Sequence, residues 1–423
     1  MSDFEVIETK ADLDVLAQDL QSEKVIGVDT EADSFYHYFD KTCLVQIATR
    51  KQIYLIDPLA LGGPAELAPL GPVFASPETT TIFHAAEYDL FVLKRDCGFS
   101  FDALFDTMIS AQLLGYPSVG LASLAERHYG VNLPKDEQRS DWSRRPLRDK
   151  QLNYAAADVV YLIALREILT KELRAAKRLR WAQEEFKTLC ARQWPEREFD
   201  KLGYLRIKGA RKLDPNGLSV LRELYYARDE RAREIDRPPF KVLGNRTLLD
   251  IAERKPTKLA ELAEIKGITD LLLRRLGRNI MAAVRKGRKE AHGPIPKLGG
   301  SRRRMDRHAE RRLAALKAWR AERASDTKLD PGVLAPNSVL EAIAWRNPSS
   351  QTELEDLPEL KGWFRREFGA EVVRTSCDAN DALAAKPESK PQGGRRGRGR
   401  GRGRGQRSRS GGEDAGDAGE EEA

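Results

Sequence analysis

The stretch Lys24-Val25-Ile26-Gly27-Val28-Asp29-Thr30-Glu31-Ala32 constrains the fold most strongly. It begins as an apolar strand and ends with two carboxylates. Side chains alternate along a strand, so Asp29 and Glu31 share one face. Two like charges side by side cost free energy unless a cation sits between them. A strand end that meets solvent is the plainer alternative. Further along, Leu152–Leu162 reads as the opening of a long helix, with apolar residues at helical spacing and a run of Ala. Tyr154 and Asp158 lie four apart there, so a phenol and a carboxylate project from one face, one turn from each other. That spacing also suits a solvated or capped structural carboxylate.

The elements between these two stretches decide whether they can meet. Phe4–Glu8 reads as a short strand, and Ala11–Leu20 as a helix with Leu13, Leu16 and Leu20 on one side. Leu44–Ala48 and Ile53–Ile56 suit a hairpin beside the Asp29 strand. Residues 61–72 form a loop with a short helix, and their glycines do not match a phosphate-binding loop. Thr79–Phe83 is another strand, running into His84 and a helix with Asp89 in its first turn. Asp106, ahead of the next helix, is an N-cap and a competitor for the role of Asp89. His84 reads as a hydrogen-bonded structural histidine, because the other candidate ligands are all carboxylates. Helices at Met108–Leu114 and Leu121–Tyr129 lead into a polar loop, 132–146. Strands first, then strands alternating with helices, predict an α/β domain with a mixed sheet.

Charge divides the chain. Residues 1–170 carry 15 Lys and Arg against 26 Asp and Glu, whereas residues 171–390 carry 49 against 33. An acidic front half and a basic rear half suit a metal-loaded catalytic part joined to one that attracts nucleic acid; unequal solvated surfaces would give the same count. Cys43, Cys97, Cys190 and Cys377 are scattered without a zinc-type spacing and read as reduced thiols. Met1–Glu5 is acidic and without an apolar run, and no stretch reaches the length of a membrane span, so a cytoplasmic protein is expected.

The rear half contains a repeat. Leu221–Gly267 and Leu316–Gly362 each hold a helix, a Val-Leu turn (Val242-Leu243; Val333-Leu334), another helix and a closing Leu-x-x-x-Lys-Gly. A spacing of about ninety residues reads as a duplicated small helical domain rather than a solenoid. Between 393 and 409 Gly and Arg alternate with eight Arg and no acid, and residues 412–423 are acidic. Neither segment can bury a core, so a disordered tail is expected. Its Arg/Gly part suits contact with RNA, or serves solubility alone.

Asp29 and Glu31 on a strand, Asp89 at a strand-to-helix junction and Asp158 on a late helix can all gather at one end of a sheet. An all-oxygen set selects hard cations, Mg²⁺ or Mn²⁺, over zinc. Two such ions about 3.5–4 Å apart can activate a water and stabilise the departing oxygen of a phosphodiester. Tyr154, with an ordinary pKa near ~10, is a poor base at neutral pH and better suited to orienting that water.

Asp29-Thr30-Glu31, Asp89 after the His84 strand and Tyr154-x-x-x-Asp158 resemble the three motifs of DEDD-type 3′→5′ exonucleases, and Tyr in the last is similar to the DEDDy branch. The segments 120–124 and 139–147 resemble ribonuclease D specifically, and the repeated helical units resemble HRDC domains. The second unit lacks the first one's basic Arg274-Arg275 stretch. The resemblance implies a ribonuclease H-like α/β exonuclease domain, its mixed sheet flanked by helices, over residues 1–170. A basic helical linker would follow at 171–210, then two small all-α HRDC-like domains at 211–292 and 305–375, and the tail at 376–423. It implies removal of nucleotides one at a time from RNA 3′ hydroxyl ends, tRNA precursors among the substrates. Asp29, Glu31, Asp89 and Asp158 would hold two Mg²⁺ or Mn²⁺, and Tyr154 would orient the water. Arg139, Arg144, Arg145 and Lys266 are candidate RNA contacts, with an interior ion-pair role open for the arginines of the 139–145 loop. A DNA-directed exonuclease would share every catalytic residue, and an idle RNA-binding adaptor is the other competing reading. No Gly-x-x-x-x-Gly-Lys-Ser/Thr is present, which excludes a helicase.

Overall fold

The computed structural model describes residues 3–195, 198–290, 292–293 and 305–384. Its front part is a six-stranded mixed sheet: β1 (Phe4–Ile7), β2 (Val25–Ala32), β3 (Thr42–Ala48), β4 (Ile53–Ile56), β5 (Thr80–Phe83) and β6 (Leu104–Asp106). The spatial order is β1-β4-β3-β2-β5-β6. β3 runs antiparallel to both β2 and β4, and the remaining pairs are parallel. Every residue of β3 is buried, as expected of a strand covered on both faces. β2 sits beside it, so its charged end is held deep in the sheet.

The expected long helix is two. Asp149–Val159 packs on β2, β3 and β4, the chain then turns at Val160 and Tyr161, and Leu162–Ala175 continues against β2 and β5. No Pro or Gly marks the break, so local propensity gives no sign of it. Packing sets it instead: Tyr161 stacks on Tyr129 with ring centroids 5.1 Å apart, and Leu162 drops onto Gly27 of β2. A Cβ on Gly27 would stand 3.0 Å from Leu162 Cβ and 3.3 Å from the Val159 carbonyl oxygen. The absent side chain therefore lets the end of the Asp149–Val159 helix rest on the strand two residues before Asp29.

The segment expected to be a linker from 171 to 210 is largely fabric of the folded parts. Leu179–Ala191 buries Trp181, Ala182, Phe186 and Leu189 and packs on β6. Beyond it, Tyr204, Leu205, Ile207 and Ala210 enter the core of the first helical unit. Charge density suggested a solvated connector here, because the apolar positions recur on one helical face while the basic ones cover the other.

Both helical units are present. The first (helices Pro215–Glu234, Asn245–Arg254 and Asp270–Lys289 with short turns between) has its own core around Leu221, Leu248, Ile251 and Ile280. The second (Arg307–Thr327, Asn337–Arg346 and Gly362–Ala384) shares a continuous core with the sheet domain, joined where Trp363 stacks on Trp181 with ring centroids 4.5 Å apart. Its last helix passes the expected boundary at 375. Ser376 is fully buried, and Asn380 bonds Asn347 and Arg312. The Arg/Gly and acidic tail lies outside the described residues. Among the described residues no helix is long and apolar enough to cross a membrane.

Gly27→Val should lower unfolding stability by about 1–3 kcal/mol through overpacking, and Gly27→Ala by less. Urea unfolding of the three proteins measures both.

Candidate active site

Backbone geometry gathers the acids. Asp29 and Glu31 leave one face of β2, and Asp158 descends from the last turn of the Asp149–Val159 helix. Each offers an oxygen such that all three lie within 4.8 Å of one another. Asp89, in the first turn of the helix Glu87–Cys97 after β5, lines with them a cleft of about 470 Å³. Asp89 Oδ1 accepts a 2.6 Å hydrogen bond from the Thr30 hydroxyl.

The remaining candidates sort by geometry. Asp106 is not a rival for Asp89: its carboxylate accepts from the backbone N–H of Ile109, capping the next helix, and from that of Ala86. His84 does line the cleft, yet its Nδ1 lies 2.9 Å from the Thr107 hydroxyl, and burial lowers its pKa to about 4, so it is neutral. Arg145 takes the interior role. Its guanidinium pairs with the carboxylate of Asp57 and donates to the carbonyls of Cys43 and Trp142, so its candidacy as an RNA contact is withdrawn. Arg144 is exposed and pairs with Asp141 at 3.1 Å. Arg139 is exposed beside Gln138, which lines the cleft. Lys266 is exposed in the first helical unit and is not among the cleft residues.

Sequence reasoning missed Thr30, Tyr88, Ser123, Lys135 and Gln138, all in the cleft wall. Thr30 lay in plain view between Asp29 and Glu31. The others sit in segments whose approach to the acids only the folded chain reveals.

Electrostatically the site is frustrated. Burial, then the charges of Asp89, Asp158 and Glu31, hold the Asp29 carboxyl well above the usual range. Burial followed by Asp158 and Asp89 does the same to Glu31. Burial pushes Asp89 up to about 7 against the Thr30 hydrogen bond, and Asp158 up to about 7 against one from Tyr154. Among the described residues no Lys, Arg or His forms an ion pair with any of the four. Tyr154 is 7% exposed, its ring 6.1 Å from that of the fully buried Trp142. Burial, then the Asp158, Glu31 and Asp29 charges, raise its pKa, so the phenol keeps its proton and can donate.

A hard divalent cation fits this donor set. Ligands on opposite sides of Mg²⁺ stand about 4.2 Å apart, close to the 4.8 Å upper bound here. The cation would also supply the counter-charge that the protein omits.

Without a cation, the fold favours protonated Asp89 and Asp158, so the folded chain binds more protons than the unfolded one between about pH 4 and about 7. Their contribution to stability is complete below that window and is lost as pH rises through it. Asp158→Asn should therefore raise the Tm of chelator-treated protein at pH 8 but not at pH 4. Mg²⁺ should raise the Tm of the unaltered protein and leave the variant little changed. Thermal scans with and without metal check both outcomes.

The 3′-5′ exonuclease family matches residues 4–174, and the HRDC domain matches 217–284 and again 309–375. The ribonuclease D of Gluconacetobacter diazotrophicus is 30% identical over 374 residues, 87% of this chain and 91% of that protein. That of a Jannaschia species is 33% identical over 378 residues, 85% and 92% of the two chains. The crystal structure of Escherichia coli RNase D superposes with a TM-score of 0.66 at 27% identity, covering 89% of this chain and 99% of that one.

Proposed function

The chain belongs to the ribonuclease D family and is a metal-dependent 3′-5′ exoribonuclease; from that premise we propose which residues do the work and on which RNA. Asp29, Glu31, Asp89 and Asp158 hold two divalent ions, Mg²⁺ or Mn²⁺. The convergence of three acid oxygens within 4.8 Å on a cleft that Asp89 and Tyr154 also line carries this assignment. Ions bound there would lower the pKa of an attacking water and neutralise the departing 3′ oxygen.

The side chains have separate tasks. Tyr154, protonated and held between Trp142 and Asp158, donates its hydroxyl proton to Asp158, and its oxygen is left to accept from the water and fix where it sits. Thr30 turns the Asp89 carboxylate by its hydrogen bond. Lys135, exposed in the cleft lining, offers a cation to the phosphate behind the scissile bond. The substrate is RNA with a free 3′ hydroxyl, with tRNA precursors the substrate class that family membership favours. The E. coli RNase D is an exoribonuclease involved in structured RNA processing, which supports a folded body with a short single-stranded 3′ end. The first helical unit adds electrostatic grip through the exposed Arg274 and Arg275.

Asp29→Asn and Asp158→Asn should each reduce mononucleotide release from 3′-hydroxyl RNA to background while RNA is still bound. Tyr154→Phe should slow release by about a hundredfold. Timed digestion with Mg²⁺ or Mn²⁺, paired with filter binding, reads both, and near-normal release by either Asn variant would overturn the residue assignment. Replacing Arg274 and Arg275 together with Ala should lower the slope of log affinity against log salt by about 1.4, or about 0.7 per lost phosphate contact on a single strand.

A further inference from the structure

The chain leaves β2 at Ala32 and, at Phe35, meets the first helical unit. This junction is built differently from an ordinary interior seam. Phe35 and Phe240, one from each domain, remain 48% and 55% exposed, although their rings already touch edge to face at 6.5 Å. Beside them, Lys241 Nζ sits 3.6 Å from the centroid of the Tyr36 ring, and Arg237 donates to the Tyr36 carbonyl. Neither cation forms an ion pair among the described residues. The nearby acids are already engaged: Asp236 by His37 and the backbone N–H groups of Tyr38 and Phe39, and Asp141 by Ser143 and Arg144. Burial, then the nearby Arg237 charge, lowers the Lys241 pKa against the opposing pull of Asp141, so two positive charges are held close together here.

The junction is continuous with the cleft along two paths. The Tyr36 hydroxyl donates to the carbonyl of Arg139, next to the cleft residue Gln138. Tyr88, a 44% exposed ring in the cleft wall, bonds Ser34. Exposed rings and unpaired cations therefore run from the acids to the domain boundary.

We propose that Phe35 and Phe240, with Arg237 and Lys241, form a stacking platform for an unpaired base of the RNA strand whose 3′ end occupies the cleft. The inference rests on the exonuclease reading above and adds a substrate subsite to it. An RNA strand suits the surface because rings with open faces bind any base, while the free cations meet the phosphates on either side. A platform made jointly by two domains exists only while they are docked, so it ties RNA grip by the helical unit to delivery of the 3′ end.

The test uses the full-length chain and single-stranded RNA carrying 2-aminopurine at successive positions from the 3′ end, in chelator so that no hydrolysis occurs. Wild-type protein should quench one internal position. Phe35→Ala and Phe240→Ala should each abolish that quenching and weaken binding by at least about fivefold, whereas Phe240→Trp restores both. Leu271→Ala, an exposed apolar change elsewhere on the same unit, should alter neither. Unchanged quenching and affinity in both Ala variants would overturn the proposal and leave the ring pair as interdomain packing. The exonuclease reading has its own readout: if wild-type protein with metal releases no mononucleotide from this RNA yet still quenches it, that reading fails and the platform stands.

Discussion

Mutual repulsion among carboxylates is the constraint around which the front domain is arranged. Asp29, Glu31 and Asp158 would separate if their backbones allowed it, since burial disfavours the ionised form of all three and neighbouring charge adds to that at Asp29 and Glu31. What prevents separation is rigid and apolar: β2 is fastened on both sides in the sheet, and the Asp149–Val159 helix is pressed onto it at Gly27. Hydrophobic packing thus supplies the force that holds like charges together. A cation bound among them would convert that cost into binding energy.

The same packing explains the break in the helix after Asp158. An unbroken helix from 149 to 175 would carry its axis past the sheet in one direction. The turn at Val160–Tyr161 instead lets one segment cover β3 and β4 while the next covers β5. Asp158 stands in the last turn before the corner, where a side chain projects over the strand ends. The carboxylate and the corner are products of one contact.

Much of this was legible in the sequence. Period-two and period-3.6 patterns mark β2, the hairpin and the Tyr154–Asp158 face, and the unfavourable pairing of Asp29 with Glu31 points to a cation. Other features depend on long-range contacts that no local window contains. The fate of Arg145 turns on Asp57, a partner 88 residues away whose N-cap position hides it among ordinary helix starts. The helix corner turns on a missing methyl at Gly27. The basic 171–210 stretch misled because charge counting registers the solvent face of a helix and overlooks the buried one, where Trp181 and Phe186 lie.

Duplication gave the chain two similar helical units, and they attach by different physics. The second is welded to the sheet domain through Trp181, Trp363 and a shared apolar core, so its separation would expose large rings to water. The first keeps its own core and meets the sheet domain through a polar seam: His37 lies 2.6 Å from Asp236, the backbone N–H groups of Tyr38 and Phe39 donate to the same carboxylate, and the Tyr38 hydroxyl donates to Asp229. A polar seam loses less on opening than an apolar one of the same extent, because water replaces its hydrogen bonds. The difference assigns the units unequal roles. The welded unit extends the scaffold, and the unit with the hydrogen-bonded seam abuts the loop that follows β2 after Ala32.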